Sequence, residues 1–188
     1  MKLYFATQNQ HKLDEARAVL SEFDIEVEQL GDKGAEDKNA TVQEVARRAA
    51  RELAQKHNKP VIVDDTGVFF TAYKNFPGAH PKLMFDSLGY EGLLTLLAGK
   101  PRDAYFLTAI ALCVPGDEPV LFEGRMDGRI SMIPYNLDKE VMPYERIFVP
   151  KNTVHTLSSL SREKKNSISH RAAALRKLGE FVVKERVL

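Results

Sequence analysis

The sequence holds a single cysteine, Cys113, inside the apolar run YFLTAIALCV. A lone thiol cannot close an internal disulfide, and in that setting it reads as a small buried core residue rather than a nucleophile. Neither sign of charge predominates: 27 Lys and Arg stand against 26 Asp and Glu, a net charge of +1. This excludes the broad basic field that drives general nucleic-acid binding, so no nucleic-acid partner is expected. No apolar stretch reaches the roughly 20 residues of a membrane span, and no membrane partner is expected. The N-terminus lacks a leader of charged, then apolar, then small residues, which makes the cytoplasm the expected location. No His or Cys pair has zinc-site spacing, and there is no internal repeat or low-complexity segment. What remains, at 188 residues with 44% apolar and 28% charged side chains, is an ordinary globular composition. Its length suits one domain, 1–188, or two closely fused lobes.

Residues 2–6 read as a buried strand, and residues 12–23 as an amphipathic helix with Leu13, Ala16, Val19, Leu20 and Phe23 on one side. Ile25 to Leu30 alternates as a half-exposed strand does. GDKGAEDKN is a loop. Thr41, with Glu44 three residues on, opens a long helix that Asn58-Lys59-Pro60 ends. VIVDDTGVFFTAY is a buried strand that runs into Asp64-Asp65-Thr66-Gly67 and out into a second apolar segment. NFPGAHP is a turn cluster, and YEGLLTLLAG is a helix closed by Gly99. Residues 103–114 and 119–126 read as adjacent strands joined by PGDEP. Residues 127–168 are loop-rich, and a last helix runs from Ser169 with Ala172, Leu175, Leu178 and Val182 on one face. The interleaving predicts an α/β fold with a mixed central sheet flanked by helices. The strand-rich second half permits two lobes with an active-site cleft between them.

Four groups of residues have chemistry to offer. Thr7, Asn9 and Lys12 lie between the first strand and the first helix, where backbone N–H groups and the helix dipole converge on a natural phosphate site. The loop has no glycine and is no P-loop, and the same residues also suit a capping turn with a surface lysine. Asp64 and Asp65 end an apolar strand, where paired carboxylates are costly unless compensated. Strand neighbours face opposite sides, so one acid can bind Mg²⁺ or activate water while the other takes structural hydrogen bonds. A solvated D-D-T-G turn is the alternative. Glu36 and Asp37 precede the long helix, where carboxylates can also simply favour a helix start. Lys164, Lys165, Ser169, His170 and Arg171 gather where a loop enters the last helix. They suit an anion or a polar ring, or equally a solvated face.

Taken in order, these pieces resemble the inosine triphosphate pyrophosphatase family over nearly the whole chain. T-x-N-x-x-K appears as Thr7, Asn9 and Lys12; the acidic loop residue is best matched by Glu36; D-D-[ST]-G is Asp64-Asp65-Thr66-Gly67; the P-G turn is Pro77-Gly78. The closing K-N-x-x-S-H-R-x-x-A-L runs from Lys165 to Leu175. One motif departs: G-F-G-[YW]-D-P-x-F is replaced by Val141-Met142-Pro143-Tyr144-Glu145-Arg146-Ile147-Phe148, which keeps Tyr144 and Phe148 but loses the glycines.

The resemblance implies hydrolysis of noncanonical purine nucleoside triphosphates, ITP, dITP and XTP, to the monophosphate and pyrophosphate. It implies Mg²⁺ on Glu36 and Asp65, with Asp65 activating water and Lys12 catalytic. Thr7, Asn9, Lys12 and Thr66 would bind phosphates; Tyr144, Glu145, Lys165, His170 and Arg171 would complete substrate binding. It also implies a homodimer. A 6-oxo group accepts a hydrogen bond where adenine's 6-amino donates. A cationic Arg171 or protonated His170 would therefore favour oxo purines, since an unpaired buried donor costs about 1–3 kcal/mol. The altered 141–148 loop leaves an alternative open: a nucleotide-binding protein of the same fold with lost or altered turnover.

Overall fold

The computed structural model describes residues 1–32, 34 and 40–185. In chain order it contains β1 (Lys2–Ala6), α1 (Gln10–Leu20), β2 (Glu26–Leu30), α2 (Val42–His57), β3 (Val61–Phe70), β4 (Pro77–Gly78) and α3 (Pro81–Leu96). There follow β5 (Asp103–Cys113), β6 (Val120–Ile130), β7 (Phe148–Pro150), α4 (Arg162–Ile168) and α5 (His170–Glu185). Among the described residues, seven strands form one sheet in the order β2-β1-β3-β5-β6-β7, with β4 on β3. β1 runs parallel to β2 and β3, while β3 with β4 and β6 with β7 are antiparallel. The sheet is therefore mixed, as the interleaved pattern predicts. Among the described residues, no helix is long and apolar enough to cross a membrane.

The chain divides into two compact units. The first holds Met1–Thr66, Thr108–Gly124 and Ser169–Leu188; the second holds Gly67–Leu107 and Arg125–Ile168. In the first unit, Leu3, Phe5, Ile62, Ile110 and Leu112 of the strands form one core with Leu13 and Leu20 of α1 and Leu175 and Leu178 of α5. A Cβ on Gly124 would stand 1.8 Å from the carbonyl oxygen of His170. Only glycine admits the first turn of α5 this close to β6. In the second unit, Val68, Phe70, Phe106 and Met126 pack with Leu93 of α3 and with Tyr144 and Phe148. Cys113 is buried, and burial pushes its thiol pKa up, in keeping with a core role.

Local chemistry accounts for where the elements start and stop. α1 begins at Gln10, two residues ahead of expectation, because the Asn9 side chain accepts from the N–H groups of His11 and Lys12. Its last expected turn is a 3₁₀ turn, Ser21–Phe23. At α2, Thr41 and Glu44 form the full capping box, and Asn58 closes the helix in the left-handed region at φ 49°.

Asp64-Asp65-Thr66-Gly67 is not a turn. It lies inside one unbroken ten-residue strand, β3. α3 begins at Pro81, earlier than YEGLLTLLAG implies, and Gly89 breaks it at φ 59°. The segment 127–168 is less irregular than expected, since it contains the end of β6, all of β7 and α4.

Thr41→Ala removes half of the capping box and is expected to cost about 1 kcal/mol. Urea unfolding should show a lower midpoint with an unchanged slope.

Candidate active site

Asp64 is the centre of the first unit's polar cluster. Its carboxylate is fully buried and takes a charge-assisted bond at each oxygen: Lys12 Nζ donates to Oδ1 at 2.7 Å, and Arg171 Nε donates to Oδ2 at 2.6 Å. Thr66 Oγ1 adds a bond to Oδ1 at 3.0 Å, and Lys12 Nζ also reaches the Asp64 carbonyl at 3.2 Å. Burial alone would raise the Asp64 pKa, but the charges of Arg171 and Lys12 hold it well below the usual carboxylate range.

Arg171 is buried as well. Its NH1 donates to Glu15 Oε2 at 2.7 Å and its NH2 to Thr66 Oγ1 at 3.3 Å. Burial works against its charge, while Asp64 and Glu15 keep it fully protonated. Ser169 Oγ donates to the other Glu15 oxygen and accepts from Ala172 N at 2.9 Å, capping α5. Thr66 Oγ1 also lies 2.7 Å from Thr108 Oγ1. Two cations thus face two carboxylates, and β3 lies among residues from α1 and the start of α5. The T-x-N-x-x-K, D-D-T-G and S-H-R segments meet here.

The strand–helix junction differs from a simple anion nest. Thr7 Oγ1 accepts from Asn9 N at 3.1 Å, and Asn9 Oδ1 accepts from His11 N at 3.0 Å and Lys12 N at 3.3 Å. These three N–H groups are satisfied within the loop. The junction offers a ligand the Lys12 ammonium, the Asn9 amide and the Thr7 hydroxyl proton.

Asp65, half-buried, follows Asp64 on β3 and is the less buried of the two carboxylates. Glu36 and Asp37 lie outside the described residues. Among the described residues, no three His, Cys, Asp or Glu side chains form a metal cage. Mg²⁺ needs no such cage, being held by one or two carboxylates with substrate phosphates, and Asp65 is a donor of that kind.

His170 is buried at the start of α5. Burial and then the neighbouring Arg171 charge push its pKa well below the ordinary 6.5, so its imidazole is neutral at neutral pH. The shift disfavours the protonated form considered for base selection.

In the second unit, Lys165 Nζ pairs with Glu145 Oε2 at 2.7 Å. Tyr144 is buried in the core, where its hydroxyl donates to the Pro81 carbonyl at 3.0 Å. Its ring packs among aromatic neighbours, 6.5 Å from Phe70 and 6.3 Å from Phe85 between centroids.

Glu15 and Thr108 were not singled out by motif reading. A signal for each exists: Glu15 falls three residues after Lys12 on one helix face, and Thr108 is a hydroxyl within an apolar strand.

The His170 shift has a thermodynamic consequence. The unfolded chain takes up a proton at the ordinary pKa of 6.5 that the folded state refuses. The contribution of His170 to stability is therefore full above that pH and declines as pH falls below it. His170→Gln should flatten the slope of unfolding free energy between about pH 5 and the His range, measured by urea titration at several pH values.

The Ham1 family model matches residues 3–181. The dITP/XTP pyrophosphatase of Methanopyrus kandleri is 38% identical over 182 residues, 96% of each chain. The inosine triphosphate pyrophosphatase of Yarrowia lipolytica is 36% identical over 187 residues, 98% of this chain and 97% of its own. A HAM1 protein from Coxiella burnetii has a TM-score of 0.80 at 25% identity, covering 98% of this chain and 99% of its own. The nucleoside-triphosphatase / dITP/XTP pyrophosphatase from Mycobacterium abscessus has a TM-score of 0.70 at 31% identity, covering 95% of this chain and 98% of its own. From β1 well into α5, through all three segments that meet at Asp64, this chain belongs to the Ham1 family.

Proposed function

We propose that this protein hydrolyses noncanonical purine nucleoside triphosphates, namely ITP, dITP and XTP, to the nucleoside monophosphate and pyrophosphate, and so cleanses the nucleotide pool. The observation that carries this reading is the Asp64 cluster. Lys12, Thr66 and Arg171, from three separate motifs, converge on one buried carboxylate. The chain is 38% and 36% identical, over nearly its full length, to relatives named for that activity.

In the reaction, a water oxygen bonds to phosphorus while the bond to the oxygen bridging the α and β phosphates breaks. The bridging oxygen leaves on pyrophosphate. Asp65 accepts the proton that the water gives up. Lys12, with Thr7, Asn9 and Thr66, holds the phosphates and offsets the charge that spreads over their oxygens as the bond breaks. Mg²⁺, when bound by Asp65 and Glu36, would supply further neutralisation of phosphate charge. Lys165, paired to Glu145, donates toward a 6-oxo group, and the neutral His170 imidazole adds a base contact, while Arg171 serves binding by keeping Asp64 matched. Tyr144 supports them from the core.

By the same resemblance, we read the active form as a cytoplasmic homodimer. Sedimentation at micromolar concentration should give twice the mass of the chain.

The experiment is pyrophosphate release with Mg²⁺ across ITP, XTP, dITP, GTP, ATP and pyrimidine triphosphates. Fast release confined to ITP, dITP and XTP is expected. Asp65→Asn should lower kcat by at least about 10²-fold with its thermal unfolding unchanged. Binding of ITP without release by the wild type would instead favour a nucleotide-binding protein that has lost turnover.

A further inference from the structure

The segment 141–148 departs from the family pattern, yet it is tightly organised. Arg146 stands where the family has the proline of its Asp-Pro pair. Its guanidinium donates to three main-chain carbonyls: Nε to Asn136 at 3.3 Å, and NH2 to Leu137 at 3.3 Å and to Lys139. NH1 reaches the Tyr90 hydroxyl at 3.3 Å, and that hydroxyl donates to the Pro143 carbonyl at 3.0 Å. The backbone closes the same structure: Tyr135 N donates to the Arg146 carbonyl at 2.9 Å, and Ser131 N to the Ile147 carbonyl at 2.7 Å. Farther along the loop, Lys139 Nζ donates to the Ser158 carbonyl at 2.9 Å. A proline could supply none of the side-chain bonds.

The 3₁₀ turn Pro143–Arg146 therefore has its last residue fixed to the preceding loop and its first residue fixed to α3. Between them sits Glu145, whose side chain is only 12% exposed and whose carboxylate meets Lys165. We propose that Arg146 is a positioning residue for nucleotide selection: it holds Glu145 and Lys165 where they meet the base. This rests on the base-binding role given above to Glu145 and Lys165. In this role Arg146 acts through Glu145 and Lys165 rather than on the substrate itself. Its five donors in a rigid fork suit it to gather several carbonyls at once, which a lysine point charge does less well.

The test is steady-state kinetics of Arg146→Met and Arg146→Lys with ITP, XTP, GTP and ATP, beside thermal unfolding. A residue that places the base contacts, and not the phosphates, acts on ground-state and transition-state binding alike. Arg146→Met should raise KM for ITP and XTP about tenfold, leave kcat within about twofold, and narrow the preference for ITP over ATP by a similar factor. Arg146→Lys should fall between. A lowered unfolding temperature with KM and base preference unchanged would reduce Arg146 to a structural staple and overturn the proposal.

Should Arg146→Met fail to fold, Tyr90→Phe removes the hydroxyl bridge while keeping the ring, and the same rise in KM is expected in weaker form. Glu145→Gln separates the two levels. If it leaves KM and base preference untouched, the base-binding reading itself is wrong. If it raises KM while Arg146→Met does not, only the positioning role is lost. Should the wild type bind ITP without turnover, calorimetric Kd values replace KM in each comparison, with the same expected ratios.

Discussion

A carboxylate with no access to water has to be matched where it stands, and Asp64 sets that demand on its surroundings. Lys12 on α1, Arg171 at the start of α5 and Thr66 on the same strand all answer it. Taking one partner away from such a buried pair typically costs about 3–5 kcal/mol, because the remaining charge is left uncompensated. The requirement therefore ties the placement of two helix ends to one side chain of β3. Glu15 extends it by balancing the second charge of the set and by engaging Ser169, the cap of α5. Gly124 completes the arrangement from the sheet, where the absence of a side chain leaves room for that first turn.

This charge balance bears on how a phosphate chain would be received. Lys12 is the more accessible cation of the cluster, with its side chain 19% exposed, whereas Arg171 is at 2%. On the proposed reading, Lys12 can turn toward a phosphate oxygen while Arg171 and Thr66 keep Asp64 satisfied. The division of labour follows from depth: the deep cation preserves the fold, and the shallower one is available for binding. Asp65, one residue along the strand, is the less buried of the two carboxylates. Adjacent positions on one strand thus give two carboxylates different environments.

Much of this was legible in the sequence. The alternation of strands and helices was sufficient for the mixed α/β fold, and Thr41 with Glu44 marked the start of α2 because the capping chemistry is local. D-D-T-G was open to two readings, strand or turn, because its residues suit a turn and the compensation for Asp64 comes from positions 12 and 171, far away in sequence. The role of Arg171 was partly hidden for the same reason. It looks like a ligand-binding cation at a helix start, and only the fold shows that its donors are engaged by Asp64, Glu15 and Thr66. His170 is similar: its neutrality comes from burial and from the neighbouring guanidinium, neither of which the residue type announces. In the 141–148 segment, the lost glycines read as erosion of a motif. Three of the Arg146 bonds there run to main-chain carbonyls, which leave no trace in residue identity.

That last point has an evolutionary side. A side-chain partner ties two positions together, so that a change at one demands a change at the other. A carbonyl oxygen is supplied by every amino acid. Leu137, 62% exposed, can be exchanged for many other residues without depriving Arg146 of its acceptor. The loop around the turn is in this respect free to drift in sequence while keeping its path. New surface chemistry can be tried there one substitution at a time, with no compensating second change.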